Sequence, residues 1–299
     1  MTALRVFVAV AVFAATAWTV DVWRDHASAE MVLSKVDTSG TAAYDPGTWK
    51  DTTFVLVVGS DERAGLDGAR ADALHVVGLN PDAGKATILN IPRDTWVDIP
   101  GHGQGRVNEA YQYGGAQLQA QTVRNLTGAP ITYVLQTTFA GFIAMVDALG
   151  GVEVDVPYPM SDRNSGAAFN PGPVVMTGER ALAFSRDRHI PDGDLNRTMN
   201  QGQLIIHGLS KLRKEGTSPT EVLHYMEVLF RTIRTEGINS TDLFRLGRAA
   251  LAIDPANVRN YGMPATIGMH GAQSVVFVRQ PDASSVFVDF ADDGILQAH

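Results

Sequence analysis

The sequence predicts a layered α/β domain, and three observations carry that reading. From Thr53 onward, short apolar runs of strand length alternate with segments of helical period. The runs end at Gly, Pro or Asn-Pro-Asp, residues that stop strands and build turns. Charged residues collect at the ends of those runs.

The elements follow in order. Residues 54–58 (FVLVV) form a buried-strand run that stops at Gly59. Residues 74–79 form a second strand and residues 86–91 a third, ended by Pro92. The turn at residues 80–84 (NPDAG) is short, so the second and third strands run antiparallel. Residues 108–126 read as a helix broken near Gly114 and Gly115, and residues 133–136 as a strand. Phe139, Phe142, Ile143, Val146 and Leu149 keep helical spacing, and Gly150-Gly151 closes that helix. Val152, Val154 and Val156 alternate with Glu153 and Asp155, the pattern of a half-exposed strand. Residues 158–173 read as a long polar loop. Thr177 is placed to cap a helix over residues 178–185. Further helices are expected at residues 194–212, 221–231 and 241–251, and a strand at 274–278.

The chain has 299 residues, 45% of them hydrophobic, ample for a large core. It has no cysteine, which removes disulfides, thiolate metal sites and cysteine nucleophiles together. A formal net charge of -8 argues against a general nucleic-acid binder. Yet the basic residues are nineteen arginines against five lysines, and the guanidinium fork grips phosphate with two bonds.

Residues 6–20 (VFVAVAVFAATAWTV) are apolar and uncharged. As a helix the run spans ~22 Å against a hydrocarbon core of ~30 Å. Leu4, Val22 and Trp23 can extend it, Arg5 can snorkel, and Trp18 and Trp23 suit an interface. The rival is a cleaved signal peptide at Ala27-Ser28-Ala29, but Asp21, Arg24 and Asp25 make that an awkward cleavage region. Either way the rest of the chain lies outside the cytoplasm. The expected division is an anchor over residues 1–25, a linker over 26–52 and a catalytic domain over 53–299.

On this scaffold Asp61 and Arg63 follow the first strand, Arg70 and Asp72 precede the second, and Arg93 and Asp94 follow the third. Antiparallel pairing of the second and third strands brings their two sets to one rim, where open α/β sheets bind ligands, and Asp61 joins them if the first strand also runs against the second. Asp61 and Asp72 suit a magnesium ion, which takes one or two carboxylates, waters and phosphate oxygens. The arginines would complete a phosphate clamp. A second group comprises Arg186, Asp187, Arg188 and His189, then Asp194, Arg197 and Gln201. Asp187 and Asp192 read as helix-end charges, and His102 and His189 as surface histidines. Trp96, Tyr111 and Tyr113 suit either sugar stacking or local packing.

The residues carry a resemblance. VVGSDER (57–63), RADAL (70–74), NIPRDTWVDIPG (90–101), RVNEAYQYGG (106–115), DALGGVEVDVP (147–157), GERALAFSRDRH (178–189) and GDLNRTMNQ (193–201) resemble the LytR-CpsA-Psr family in order and spacing. The resemblance implies a three-layer α/β/α sandwich around a mixed sheet, with an apolar pocket for a polyprenyl chain. It implies a membrane-anchored, extracytoplasmic phosphotransferase moving a glycopolymer from a polyprenyl-diphosphate donor onto a peptidoglycan acceptor. It assigns a divalent cation, magnesium, to Asp61 and Asp72. Arg93, Asp94, Arg186, Arg188 and Arg197 become the catalytic set, and Arg63, Arg70, Arg106, Asn108 and Gln201 the substrate-binding set. The chain departs from the usual pattern at Ala71, Arg106 and Asn200. Two alternatives stay open: a hydrolase of the same lipid diphosphate, and a non-catalytic binder of such precursors. The identity of the glycopolymer, the acceptor hydroxyl and the general base are not legible in the sequence.

Overall fold

The computed structural model describes residues 31–37, 52–61, 70–215 and 233–297. Its strands are β1 (Met31–Lys35), β2 (Thr53–Ser60), β3 (Ala71–Asn80), β4 (Lys85–Asn90), β5 (Trp96–Ile99), β6 (Gly103–Arg106), β7 (Tyr133–Thr138), β8 (Val152–Val156), β9 (Met160–Asp162), β10 (Ala167–Phe169), β11 (Gly172–Met176), β12 (Ile233–Glu236), β13 (Val258–Gly262), β14 (Ala265–His270) and β15 (Gln273–Val278). The helices are α1 (Glu109–Thr127), α2 (Phe139–Ala148), α3 (Gly178–Arg186), α4 (Asp194–Glu215), α5 (Ser240–Ala252) and α6 (Asp282–Asp293). Seven strands form a mixed sheet in the order β12-β1-β7-β2-β3-β4-β13. The β3-β4 pair is antiparallel, as its short turn requires, and β2-β3 is antiparallel too, while β2-β7 and β4-β13 are parallel.

Strand alternation decides what lies on each face. Phe54, Leu56 and Val58 of β2, cross-paired with Gly78, Val76 and Leu74 of β3, are buried on one face. They join one core with Ala120 and Val123 of α1 and Val286 and Phe290 of α6, and Phe54 meets Phe290 edge to face at 5.4 Å. The opposite face carries His75, Asn90 and Asn260, on which α4 lies. Gly202 makes that approach possible, because a Cβ there would run into the Asn90 and Asn260 side chains. Helices on both faces of a mixed sheet give the expected α/β/α layering. A second core gathers Val152, Val154 and Val156 of β8, Phe169 of β10, Phe184 of α3 and Leu204 of α4 beside the sheet.

Several expectations need correction. The supposed linker contains β1, which pairs with both β7 and β12, so Met31 and Ser34 are buried inside the sheet. Five residues were too few for its pattern to stand out from polar flanks. The supposed loop at 158–173 is the β9-β10 hairpin and the entry to β11, whose paired residues bury Met160, Asp162 and Phe169. Thr177 holds the N-cap position of α3 without a side-chain cap bond; the N–H of Gly178 donates instead to Asp147 at 2.8 Å. The strand expected at 274–278 is β15, while its partner β14, the β5-β6 hairpin, β13 and α6 were not read from the sequence. The apolar run at 6–20, the rest of the proposed anchor and the helix expected at 221–231 lie outside the described residues. Among the described residues no helix is long and apolar enough to cross a membrane.

Under α4 lies a chain of buried polar groups. His75 Nδ1 and Asn90 Oδ1 are 2.7 Å apart, Asn90 Nδ2 donates to Asn260 Oδ1 at 2.6 Å, and Asn260 Nδ2 donates to the Met199 carbonyl at 2.9 Å. Burial lowers the His75 pKa to about 4, against the opposing bond to Asn90 and with the help of Arg197. The folded state therefore holds His75 neutral, while the unfolded chain takes up its proton near the ordinary value of 6.5. Its contribution is fully present above about pH 6.5 and is lost as pH falls toward 4. The difference corresponds to about 3 kcal/mol. Urea unfolding at pH 7 and pH 4.5 is expected to show this loss in the wild type and a flatter dependence in His75→Gln. An equal pH dependence in both would remove His75 as its source.

Candidate functional site

The rim is built by backbone irregularity as much as by the sheet. Between β2 and β3 the register shifts: Gly59 pairs with Ala73, but Ser60 pairs with Ala71. Asp72 is the extra residue of this bulge, a device that re-aims a side chain beside a site. Past the bulge, the Asp61 N–H donates to the Arg70 carbonyl at 3.2 Å and Asp61 Oδ1 accepts from the Arg70 N–H at 2.9 Å. Arg93, just beyond β4, pairs through Nη1 with Asp72 Oδ1. The antiparallel strands thus bring Asp61, Asp72 and Arg93 to one rim, as the sequence implied. Arg63 lies outside the described residues.

The second group meets the first here. Asp72, Arg186, Arg188 and Arg197 line one cavity of about 230 Å³, together with Asp162, Asn164, Ser165 and His189. Arg186 is the last residue of α3, Arg188 sits two residues on, and Arg197 stands on the first turn of α4. Arg197 is 2% exposed and doubly held. Its Nε and Nη2 lie 2.8 and 2.7 Å from Asp194 Oδ1, and its Nη1 donates to the Asp72 carbonyl at 3.0 Å. Burial lowers its pKa and Asp194 opposes that shift, so the guanidinium stays charged. Arg188 Nε lies 3.6 Å from the same Asp194 oxygen. The Arg186 guanidinium rests on the ring of Phe139, 5.0 Å from its centroid.

Arg93 stands behind Asp72, outside the lining of this cavity. Burial lowers its pKa, but Asp72 and Asp94 together outweigh that effect and raise it. Asp94 lies 3.6 Å from Arg93 Nε and 3.9 Å from Arg106 Nη1, and Arg106 also pairs with Glu109 at 2.9 Å. Asp94 thereby ties two arginines together. Asn108 is buried at the N-cap of α1, its N–H donating to the Arg93 carbonyl at 3.2 Å. Gln201 donates to the Ser185 carbonyl at 2.9 Å and fixes α4 against the end of α3. Arg70 is exposed.

Three acidic residues at the site were missing from the candidate set read from the sequence. Asp194 orients Arg197 and Arg188. Asp162, at the end of β9, accepts backbone N–H bonds from Asn164 at 2.9 Å and Ser165 at 3.2 Å. The Asn164 bond is the main reason its pKa falls, against its own burial. Asp187, which the sequence suggested was a helix-end charge, is fully buried, and its Oδ1 accepts the His189 N–H at 2.8 Å. His189 is exposed, as expected of a surface histidine, and its Nδ1 lies 3.1 Å from Asp162. The polar stretch around Asp162 carried no periodic signal that would have marked it.

The LytR_cpsA_psr family model matches residues 16–290. Among curated proteins, the polyisoprenyl-teichoic acid–peptidoglycan teichoic acid transferase TagU of Bacillus anthracis is 38% identical over 177 residues, 58% of this chain and 56% of the relative. Its counterpart from Halalkalibacterium halodurans is 34% identical over 190 residues, 62% of each chain. The chain thus spans little more than half the length of the curated relatives it matches. Among solved structures, a LytR-Csp2A-Psr enzyme from Actinomyces oris aligns with a TM-score of 0.65 at 25% identity, covering 80% of this chain and 89% of the other. B. subtilis TagV aligns with a TM-score of 0.70 at 24% identity, covering 82% and 98%. TagT with bound octaprenyl pyrophosphate lipid aligns with a TM-score of 0.60 at 24% identity, covering 87% and 97%.

Proposed function

Since the chain belongs to the LytR-CpsA-Psr family, we propose that it transfers a glycopolymer from a polyprenyl-diphosphate donor onto peptidoglycan, outside the cytoplasm and anchored by its N-terminal apolar run. The observation that carries the reading is the convergence of Arg186, Arg188, Arg197 and Asp72 on one cavity. Three guanidinium groups in one small space suit the oxygens of a diphosphate, and two of them are pre-aimed by Asp194. Arg186 links this polar end to apolar surface, because it rests on Phe139 at the start of α2. Phe142 and Ile143 of α2, and Ile205, Ile206, Leu209 and Leu212 of α4, are only half-buried. A polyprenyl tail leaving a diphosphate on Arg186 would meet such surface.

Asp61 and Asp72 fit a divalent cation. The Arg70 N–H takes one Asp61 oxygen and Arg93 takes one Asp72 oxygen, so each carboxylate keeps a second oxygen for a metal. Magnesium held by Asp61 and Asp72 would supply charge neutralisation at the diphosphate oxygens. The arginines bind the diphosphate and stabilise the charge that builds on the leaving oxygen. A hydroxyl oxygen of a peptidoglycan sugar forms a bond to the glycan-linked phosphorus. The bond from that phosphorus to the bridging oxygen breaks, polyprenyl phosphate leaves, and the hydroxyl proton passes to the leaving phosphate or to solvent. A glycan–phosphate–peptidoglycan diester results. Asp94 holds Arg93 and Arg106 in place, and Asp194 does the same for Arg188 and Arg197.

The test supplies a polyprenyl-diphosphate glycan and a peptidoglycan acceptor, and measures polyprenyl phosphate together with glycan joined to acceptor. Equal release and joining is the expected result. Release without joining would mark a hydrolase, and tight binding without release a non-catalytic binder.

A further inference from the structure

Beside the arginines, Asp162 and His189 on the wall of the same cavity and the buried Asp187 next to them each offer a ligand atom, all within 4.8 Å of one another. The geometry points to a second divalent-cation site at Asp162, Asp187 and His189, separate from Asp61 and Asp72 and suited to zinc or a similar transition ion. Imidazole nitrogen and carboxylate oxygen are both zinc ligands, whereas magnesium prefers oxygen alone. A second observation points to a ligand here. Asp187 is 0% exposed, and its Oδ2 has no hydrogen-bond partner among the described residues. A buried carboxylate oxygen left unpaired is costly, and a cation would satisfy it.

The other two donors are ready for the ion. Backbone N–H bonds from Asn164 and Ser165 aim the Asp162 carboxylate, and His189 Nδ1 stands 3.1 Å from it. Donors around one zinc at ~2.1 Å lie ~3.4 Å apart, so the cluster must tighten by at most ~1.4 Å. The His189 side chain is 65% exposed and free of core packing, which makes that movement cheap. Three protein ligands leave a fourth position open toward the cavity that Arg186 and Arg188 share. An ion there would take an oxygen of a phosphorylated ligand from the side away from the sheet rim.

The site shares the cavity of the proposed transfer reaction, but its test is independent of that reaction and uses no substrate. Untagged full-length protein is stripped with chelator and titrated calorimetrically with zinc chloride in excess magnesium. The wild type is expected to bind one zinc and to gain thermal stability from it. His189→Ala, an exposed change that leaves the fold alone, is expected to lose at least ~10-fold in zinc affinity. Asp162→Asn should lose as much, and Asp72→Ala should bind zinc like the wild type. Absence of saturable zinc binding, or wild-type affinity in His189→Ala, would overturn the site. Loss of zinc binding in Asp72→Ala with retention in His189→Ala would move the ion to the rim carboxylates and equally overturn it. Failure of transfer with zinc binding intact would count only against the proposed reaction.

Discussion

Arg93→Ala combined with Arg186→Ala is expected to abolish glycan transfer and to weaken polyprenyl-diphosphate binding by at least roughly 10–10²-fold, since the direct charge-assisted bond from Arg186 contributes about 1.5–3 kcal/mol and the loss of Arg93 adds an indirect effect through Asp72. The two residues act differently. Arg186 lines the cavity and touches Phe139, so its loss removes a direct grip on the diphosphate and the link to apolar surface. Arg93 stands behind Asp72, so its loss frees that carboxylate to turn toward the arginines it should oppose. The Lys versions of both positions keep the charge but lose the planar fork, and should not restore transfer. Tritiated or fluorescent polyprenyl diphosphate gives the binding readout. Wild-type affinity in the double variant would take the diphosphate away from this cavity.

The second large effect falls on Asp72. Asp72→Ala is expected to cut transfer by at least ~100-fold while leaving the chain folded, because the removed carboxylate sits on a bulge at the rim rather than in the core. Two consequences separate its roles. If Asp72 holds a cation, chelator lowers wild-type activity and changes the variant no further. If it only holds Arg93, chelator lowers both alike, and Asp72→Asn keeps much of the activity through a neutral bond to Arg93. Full transfer by Asp72→Ala, or by chelated wild type, would exclude a metal at Asp61 and Asp72. Transfer with and without chelator, measured for wild type and both variants, decides between these outcomes.

Both effects depend on a site whose halves lie about a hundred residues apart in sequence. The β3-β4 part of the rim was legible because a short turn forces antiparallel pairing and puts Asp72 and Arg93 at one edge; Asp61 joined them only if β2 also ran against β3, which the ten-residue connection between them does not force. Arg186, Arg188, Arg197 and Gln201 were legible as a motif, through family resemblance and not through spacing. That they meet Asp72 was not legible, because the meeting depends on where α4 lands. Gly202 and the His75-Asn90-Asn260 chain decide that landing, and no local pattern marks three isolated polar residues as one buried network.

The sequence by itself determined the strand and helix periods, the antiparallel start of the sheet, the arginine-rich chemistry and the family. These are short-range properties: side-chain period, turn length and residue type at a motif position. The tertiary structure alone decided that Met31–Lys35 is a sheet strand, since its pairing with β7 and β12 joins segments about 100 and 200 residues away. It alone turned Asp187 from a helix-end charge into a buried carboxylate beside Asp162 and His189, and put Asp194 between two arginines. Burial and the choice of ion-pair partner arise only when distant segments exclude water from the same space, and one-dimensional order does not encode which segments those are.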